Sequence, residues 1–204
     1  MASSHNAKIA HLKKSDPILR VVIDGIKLEE FASRRGNYFE ALVEAIVSQQ
    51  LSVKAADTIF QRFAALRPGK KFPTPQQVLK LPATKMHRAG LSKMKVGFIK
   101  DLAKKVLDKT VDFKQIDSWT DEEVVEHLVK VKGIGPWTAE MFLIFSLRRE
   151  NVFSYGDLGL KNAIKKLYKL KKHPTPARAK KITDKWRPYR SLGSRYLWAT
   201  LDNG

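Results

Sequence analysis

The chain has no cysteine and comparatively little acid. A cysteine count of zero excludes disulfides, thiolate-held zinc and cysteine-held iron–sulfur clusters. Acidic residues number 20 against 39 lysines and arginines, a formal net charge of +19 over 204 residues. An excess of that size is the electrostatic footprint of a protein that binds a polyanion, nucleic acid above all. No apolar run is long enough for a membrane span and no secretory hydrophobic region follows Met1, which predicts a soluble, intracellular protein. The histidines His5, His11, His87, His127 and His173 fall at no metal-ligand spacing, and His127 reads as a surface or cap residue of a helix. Walker loops, dinucleotide fingerprints and Ser-His-Asp patterns are missing too, and no convincing strand pair stands out.

What the chain does have is helical periodicity along most of its length. A hydrophobic content of 43% suffices for a core, and the length suits one domain or two small lobes. Met1 to about Ala7 reads as a disordered lead. Ser15-Asp-Pro17 starts a helix carrying Ile18, Leu19, Val22 and Ile23 that ends near Gly25. After Gly36 and Asn37, residues Phe39, Leu42, Val43, Ile46 and Val47 form an amphipathic run. Ser48-Gln-Gln-Leu-Ser52 interrupts it before Ala55, Ala56, Ile59, Phe60 and Phe63 resume. The segment from Arg67 to Pro75 is a loop by its prolines and glycine, and Thr74 with Pro75 opens the next helix. Gly90-Leu-Ser92 precedes a helix bearing Val96, Ile99, Leu102, Ala103 and Val106. Asn162 to Lys172 is basic and amphipathic, and Ser191 to Leu201 forms the last helix. The expected fold is all-α, with roughly ten short helices at the usual mean length.

The densest signal is Val131-Lys-Gly-Ile-Gly-Pro-Trp-Thr-Ala139. Upstream, Thr120-Asp-Glu-Glu123 fits a capping box, and Val124, Leu128 and Val131 recur at helical spacing. Downstream, Pro136 suits a first helical position, and the run to Leu147 is apolar enough for a buried helix. Gly133 and Gly135 allow backbone conformations that a Cβ resists. Two helices joined by such a turn offer backbone N–H groups to a phosphate, although a Gly-x-Gly between core helices would read the same way.

This string resembles the helix–hairpin–helix DNA glycosylase superfamily. So do Phe39-Glu-Ala-Leu-Val-Glu-Ala-Ile-Val-Ser-Gln-Gln50, Gly90 to Ala103, Val152-Phe-Ser-Tyr-Gly-Asp-Leu-Gly-Leu160 and Trp186 to Trp198. Together these segments are similar to the bacterial 3-methyladenine DNA glycosylase II branch and its fungal alkylpurine relatives, over about residues 36 to 201. The resemblance implies a two-lobed helical bundle, one glycosylase domain over 1–204, with the active-site cleft between its lobes. Residues 36–115 would form a lobe with a DNA-plug loop and 116–170 the hairpin and catalytic segment. The N-terminal helix would pack with 171–204 in the second lobe.

Asp157 follows Trp137 by 20 residues (157 − 137), the spacing of the catalytic aspartate in that branch. From sequence alone it reads as the N-cap of the helix beginning at Leu158, and both roles are compatible. A carboxylate beneath the sugar would stabilise oxocarbenium character and guide the attacking water. A cationic N3- or N7-alkylated purine leaves without a second acid. Trp137 stands where the bifunctional members carry a lysine, and an indole is no amine nucleophile, so the resemblance implies hydrolysis without a lyase step. It implies base stacking by Trp198. Met141 and Phe145, on the Trp137 face of the same helix, line or back that pocket. Tyr189 and Tyr196 read as packing residues.

By the same resemblance Gln49, Gln50, Leu51 and Ser52 enter the minor groove, with Gln50 filling the gap left by an extruded nucleotide. Lys132, Gly133, Gly135 and Thr138 would bind the backbone. Backbone carbonyls of Val129, Val131 and Ile134 would hold a structural monovalent cation, Na⁺ or K⁺, with no other cofactor required. Two departures, a small Ser52 and Gly156 in place of a second acid, bear on turnover more than on DNA binding. The expected activity is hydrolytic release of alkylated purines from duplex DNA in base-excision repair, by a monomer in the nucleus or a bacterial nucleoid. A catalytically weak binder of abasic or damaged DNA with the same fold is the second reading. A bare DNA-docking module is the third, and it leaves Asp157 and Trp198 without a role.

Overall fold

The structure, a computed structural model, describes residues 4–31, 36–67, 69 and 72–202. Within the expected Arg67–Pro75 loop, Pro68, Lys70 and Lys71 lie outside the described residues, as do Met1 to Ser3 of the expected lead. Among the described residues, twelve α-helices and one 3-10 turn make up the fold, with no strand. The chain divides into two compact units, the first Met1–Ser33 with Leu143–Gly204 and the second, the middle unit, Arg34–Phe142, and the division falls inside one helix.

The first unit begins with α1 (His5–Ser15) and α2 (Pro17–Gly25). The lead is therefore helical from His5, where Ser4 caps the helix by accepting the Ala7 N–H; its weak apolar face hid it from the periodicity. Buried Asp16 ends α1 and caps α2, accepting the N–H groups of Ile18 and Leu19. Its other oxygen takes the Tyr168 hydroxyl and the Trp186 indole N–H at 2.9 Å, with Lys185 Nζ at 3.4 Å. Burial alone would raise this carboxyl, but the donors from Tyr168, Trp186 and Leu19 and the charge of Lys185 hold it below the usual range.

In the middle unit, α3 (Tyr38–Ser48) and α4 (Val53–Ala64) follow one another across the 49–52 loop. Then come α5 (Pro75–Lys80), α6 (Ala83–Arg88), α7 (Lys93–Leu107) and α8 (Asp121–Leu128). Side-chain caps at Asn37, Ser52, Thr74, Ser92 and Thr120 fix where these helices start, and capping boxes close at both Thr74 and Thr120. Short α6, which has no side-chain cap, escaped the periodicity altogether. The long α7 packs against α3, α5 and α6, burying Val96, Ile99, Leu102 and Ala103.

Helix α9 (Pro136–Phe145) crosses the division, and α10 (Leu158–Leu167), α11 (Pro176–Thr183), the 3-10 turn Asp184–Trp186 and α12 (Arg190–Asp202) complete the first unit. The expected basic run through Lys172 stops early. Lys169 adopts a left-handed φ of 51°, and the Leu170 N–H reaches back to the Lys165 carbonyl at 2.9 Å, so α10 ends in a Schellman-type turn. Around α10 and α12 the buried residues Leu12, Leu19, Leu160, Ile164, Trp186 and Tyr196 form this unit's core. Tyr196 is fully packed and Tyr189 lies against the same cluster, as packing residues should.

Candidate active site and nucleic-acid interface

Asp157 is buried at the first turn of α10, 8% exposed. Its Oδ1 accepts the Leu160 N–H at 2.6 Å, which is the N-cap bond, and the Trp198 indole N–H at 3.1 Å. One carboxylate oxygen thus answers both a backbone donor on α10 and a side-chain donor on α12. The expected stacking role for Trp198 is therefore incomplete, because this indole also fixes the acid. Gly159 makes the approach possible. A Cβ there would lie 3.1 Å from Asp157 Oδ1, 3.2 Å from Leu201 Cδ1 and 3.4 Å from Trp198 Cδ1. At Gly156, by contrast, a Cβ would meet nothing, and the helix start is held by Asp157 itself.

An aromatic column continues from Trp198. Its ring lies 5.7 Å from Phe145, and Phe145 meets Phe31 edge-on at 5.7 Å. Two guanidinium groups sit over the Phe31 ring, Arg148 at 4.1 Å and Arg195 at 3.8 Å. Burial and the neighbouring charge of Arg148 both push the Arg195 guanidinium below its ordinary value. Neither Gly159 nor the Phe31–Arg148–Arg195 cluster was legible in the sequence. Phe31 sits in an aperiodic segment, and only a glycine inside a helical first turn hinted at the other. Along α9, Trp137 (49% exposed), partly buried Met141 and Phe145 (38%) form an accessible apolar stripe, while Phe142, Leu143 and Ile144 are buried.

The hairpin occupies the middle unit. Gly133 has a left-handed φ of +81°, and a Cβ there would fall 2.2 Å from the Phe98 ring, so both conformation and space demand glycine. Gly135 differs from expectation. Its φ is not left-handed and a Cβ would meet nothing within 4 Å, so its bare backbone is an opening rather than a steric need. The Gly135 carbonyl accepts the Ala139 N–H at 3.1 Å, starting α9 with Pro136 at its first position. Thr138 is buried beneath the turn, whereas Lys132 is exposed. The Lys132 backbone N–H donates to Asp101 Oδ2 at 2.8 Å, so this amide serves the fold and only its side chain is available to phosphate. Burial would raise Asp101, but the bonds from Lys105 and the Lys132 N–H outweigh it and lower the carboxyl. Buried Val131 and Ile134 close the turn, the Ile134 N–H reaching the Val131 carbonyl at 3.0 Å, while Val129 is 39% exposed.

The 49–52 loop lies in the same unit. Gln49 Nε2 donates to the Gly133 carbonyl at 2.8 Å, so this side chain ties the loop to the hairpin. The Ser52 hydroxyl caps α4 by accepting the Ala55 N–H, which explains a small residue there. Gln50 is exposed with φ 57°, a strained left-handed conformation for a residue with a side chain, and Leu51 is 39% exposed. His127, expected at the surface or a cap, stacks on Trp119 and bonds the Thr110 carbonyl. No cluster of three or more His, Cys, Asp or Glu suited to a metal occurs among the described residues.

Comparison with known proteins matches residues 43–188 to the HhH-GPD superfamily of base excision DNA repair proteins. The chain belongs to that family. The Schizosaccharomyces pombe protein named DNA-3-methyladenine glycosylase 1 is 36% identical over 163 residues, covering 79% of this chain and 72% of its own length. The alkylbase DNA glycosidase-like protein mag2 of the same yeast is 35% identical over 162 residues, covering 78% and 76%. Among solved structures, the S. pombe 3-methyladenine DNA glycosylase Mag1 in complex with abasic DNA superposes with a TM-score of 0.83. It is 31% identical, with 96% of each chain covered. In this HhH-GPD protein the hairpin is therefore the α8–α9 turn, and Asp157 caps α10, the next helix after α9.

Proposed function

We propose that this HhH-GPD protein is a monofunctional DNA glycosylase that hydrolyses the N-glycosidic bond of alkylated purines in duplex DNA. The observation that carries the proposal is the buried Asp157 carboxylate, held through Oδ1 by the Leu160 and Trp198 N–H groups at 2.6 and 3.1 Å. A carboxylate whose position is set beforehand needs no reorganisation when positive charge develops on the sugar, and it can orient the attacking water. A purine alkylated at N3 or N7 is already cationic, so it departs without a second acid and is attracted to an electron-rich ring such as that of Trp198. Trp137 offers no amine for a Schiff base, so the reaction ends at hydrolysis.

The relatives named for 3-methyladenine, and the one solved with abasic DNA, support a damaged-DNA duplex as the partner. Exposed Gln50 and Leu51 would enter the opened duplex, while Lys132 and the Gly135 backbone face a phosphate. The hairpin carbonyls of Val129, Val131 and Ile134 suit a hard monovalent cation, which would neutralise phosphate charge beside the turn. Val131 O already accepts one N–H and retains a second lone pair for it. Replacing Na⁺ and K⁺ by tetramethylammonium at constant ionic strength then weakens DNA binding; unchanged affinity contradicts the cation. The protein acts as a monomer, in the nucleus or, in a bacterium, at the nucleoid.

The test is direct. Methylated duplex incubated with the protein should release free 3- or 7-methylpurine above a no-protein control, and borohydride should trap no protein–DNA adduct. Tight binding to abasic DNA with no release would instead support a catalytically weak lesion binder.

A further inference from the structure

Helix α7 carries three consecutive handholds on one face. Lys95 Nζ donates to the Val47 and Gln49 carbonyls, each at 2.7 Å, where α3 ends and the 49–52 loop begins. One turn on, the Phe98 ring fills the space against Gly133, and a further turn on, Asp101 accepts the Lys132 N–H at 2.8 Å. The same Gln49 whose carbonyl Lys95 grips donates its side-chain amide to Gly133 O at 2.8 Å. Loop and hairpin are therefore registered to one rail, and Lys95 is the only side chain described that grips the loop's backbone from α7. The strained φ of Gln50 (57°) lies immediately after that grip. A left-handed non-glycine residue persists where neighbouring contacts over-determine it. An ammonium across C-terminal carbonyls also complements the negative end of α3.

We propose that Lys95 is a positioning residue for nucleotide extrusion, its ammonium holding the Val47 and Gln49 carbonyls so that Gln50 stays in register with the hairpin that grips the backbone. The proposal rests on the glycosylase reading for its rate consequences but not for its geometry. Extrusion from a paired duplex costs a few kcal/mol, and least where the target is already unpaired. Loss of the clamp should therefore penalise paired substrates selectively.

The experiment measures single-turnover base release by Lys95→Met, Lys95→Arg and the unaltered protein. Each is given one alkylated purine in a fully paired duplex and in a single strand. Lys95→Met should slow release about 10- to 100-fold on the duplex and less than about threefold on the single strand, with Lys95→Arg near the unaltered rate. Equal slowing on both substrates would mean general damage to the fold and would overturn the proposal. If the unaltered protein releases no base, the glycosylase reading fails separately. Loop insertion is then read by 2-aminopurine fluorescence beside an abasic analogue. Enhancement lost in Lys95→Met supports the clamp, and enhancement unchanged refutes it.

Discussion

At Asp157 the observed helix cap and the proposed chemistry share one carboxylate, so substitutions can pull them apart. Asparagine still accepts the Leu160 N–H now bonded at 2.6 Å, whereas alanine removes the cap. Asp157→Ala should therefore cost about 1 kcal/mol of stability and Asp157→Asn markedly less. Denaturant titration checks the pair, and equal losses would contradict the cap assignment. Gly159 offers a complementary separation. Alanine is the better helix former by about 1 kcal/mol, yet its Cβ would stand 3.1 Å from Asp157 Oδ1 and 3.4 Å from Trp198 Cδ1. Gly159→Ala is expected to keep or raise the melting temperature while slowing base release about tenfold. An unchanged rate would show that the spacing between these side chains is not critical.

Among elements, the hairpin distinguishes its two glycines sharply. Gly133→Ala must relieve both a φ of +81° and a Cβ 2.2 Å from Phe98, whereas Gly135→Ala meets nothing within 4 Å. The first should cost about 2–4 kcal/mol. The second should leave the melting temperature unchanged and weaken binding to every DNA sequence alike, since phosphate contacts carry no sequence information. A loss confined to one sequence would contradict it. Sequence could find the hairpin because capping residues, Pro136 and the buried Val124, Leu128 and Val131 all speak locally. It could not rank the two glycines, since Phe98 arrives from a distant helix. The same limit hid the Lys132 N–H bond to Asp101 and the Gln49 bond to Gly133, which depend on tertiary proximity. Helices α1, α6 and α11 were missed because their lengths are short or their apolar faces weak.

Asp16 couples elements too, joining α1 and α2 to Tyr168 and Trp186. Its carboxyl is held below the ordinary 3.8. A depressed acid stabilises the fold above its unfolded value, and that contribution is lost as pH falls through the folded one. Stability should therefore decline below about pH 4, and Asp16→Asn should flatten that decline. An acid limb of identical slope in the variant would contradict the linkage.

For the whole molecule, a net charge of +19 means that most DNA affinity is sequence-independent and salt-sensitive. Six phosphate contacts would weaken binding to undamaged duplex about a thousandfold between 50 and 200 mM salt. Fluorescence anisotropy across that range measures the slope, and a flat response would exclude the phosphate-gripping role. Charge brings the protein to DNA; the proposed function places the chemistry on the anchored carboxylate of Asp157. That claim is tested most directly by single-turnover release of 7-methylguanine by the unaltered protein and by Asp157→Asn, with abasic-duplex affinity measured in parallel. Release should fall at least about 100-fold in the variant while affinity stays within about threefold. Equal release by both proteins would contradict the assignment of Asp157.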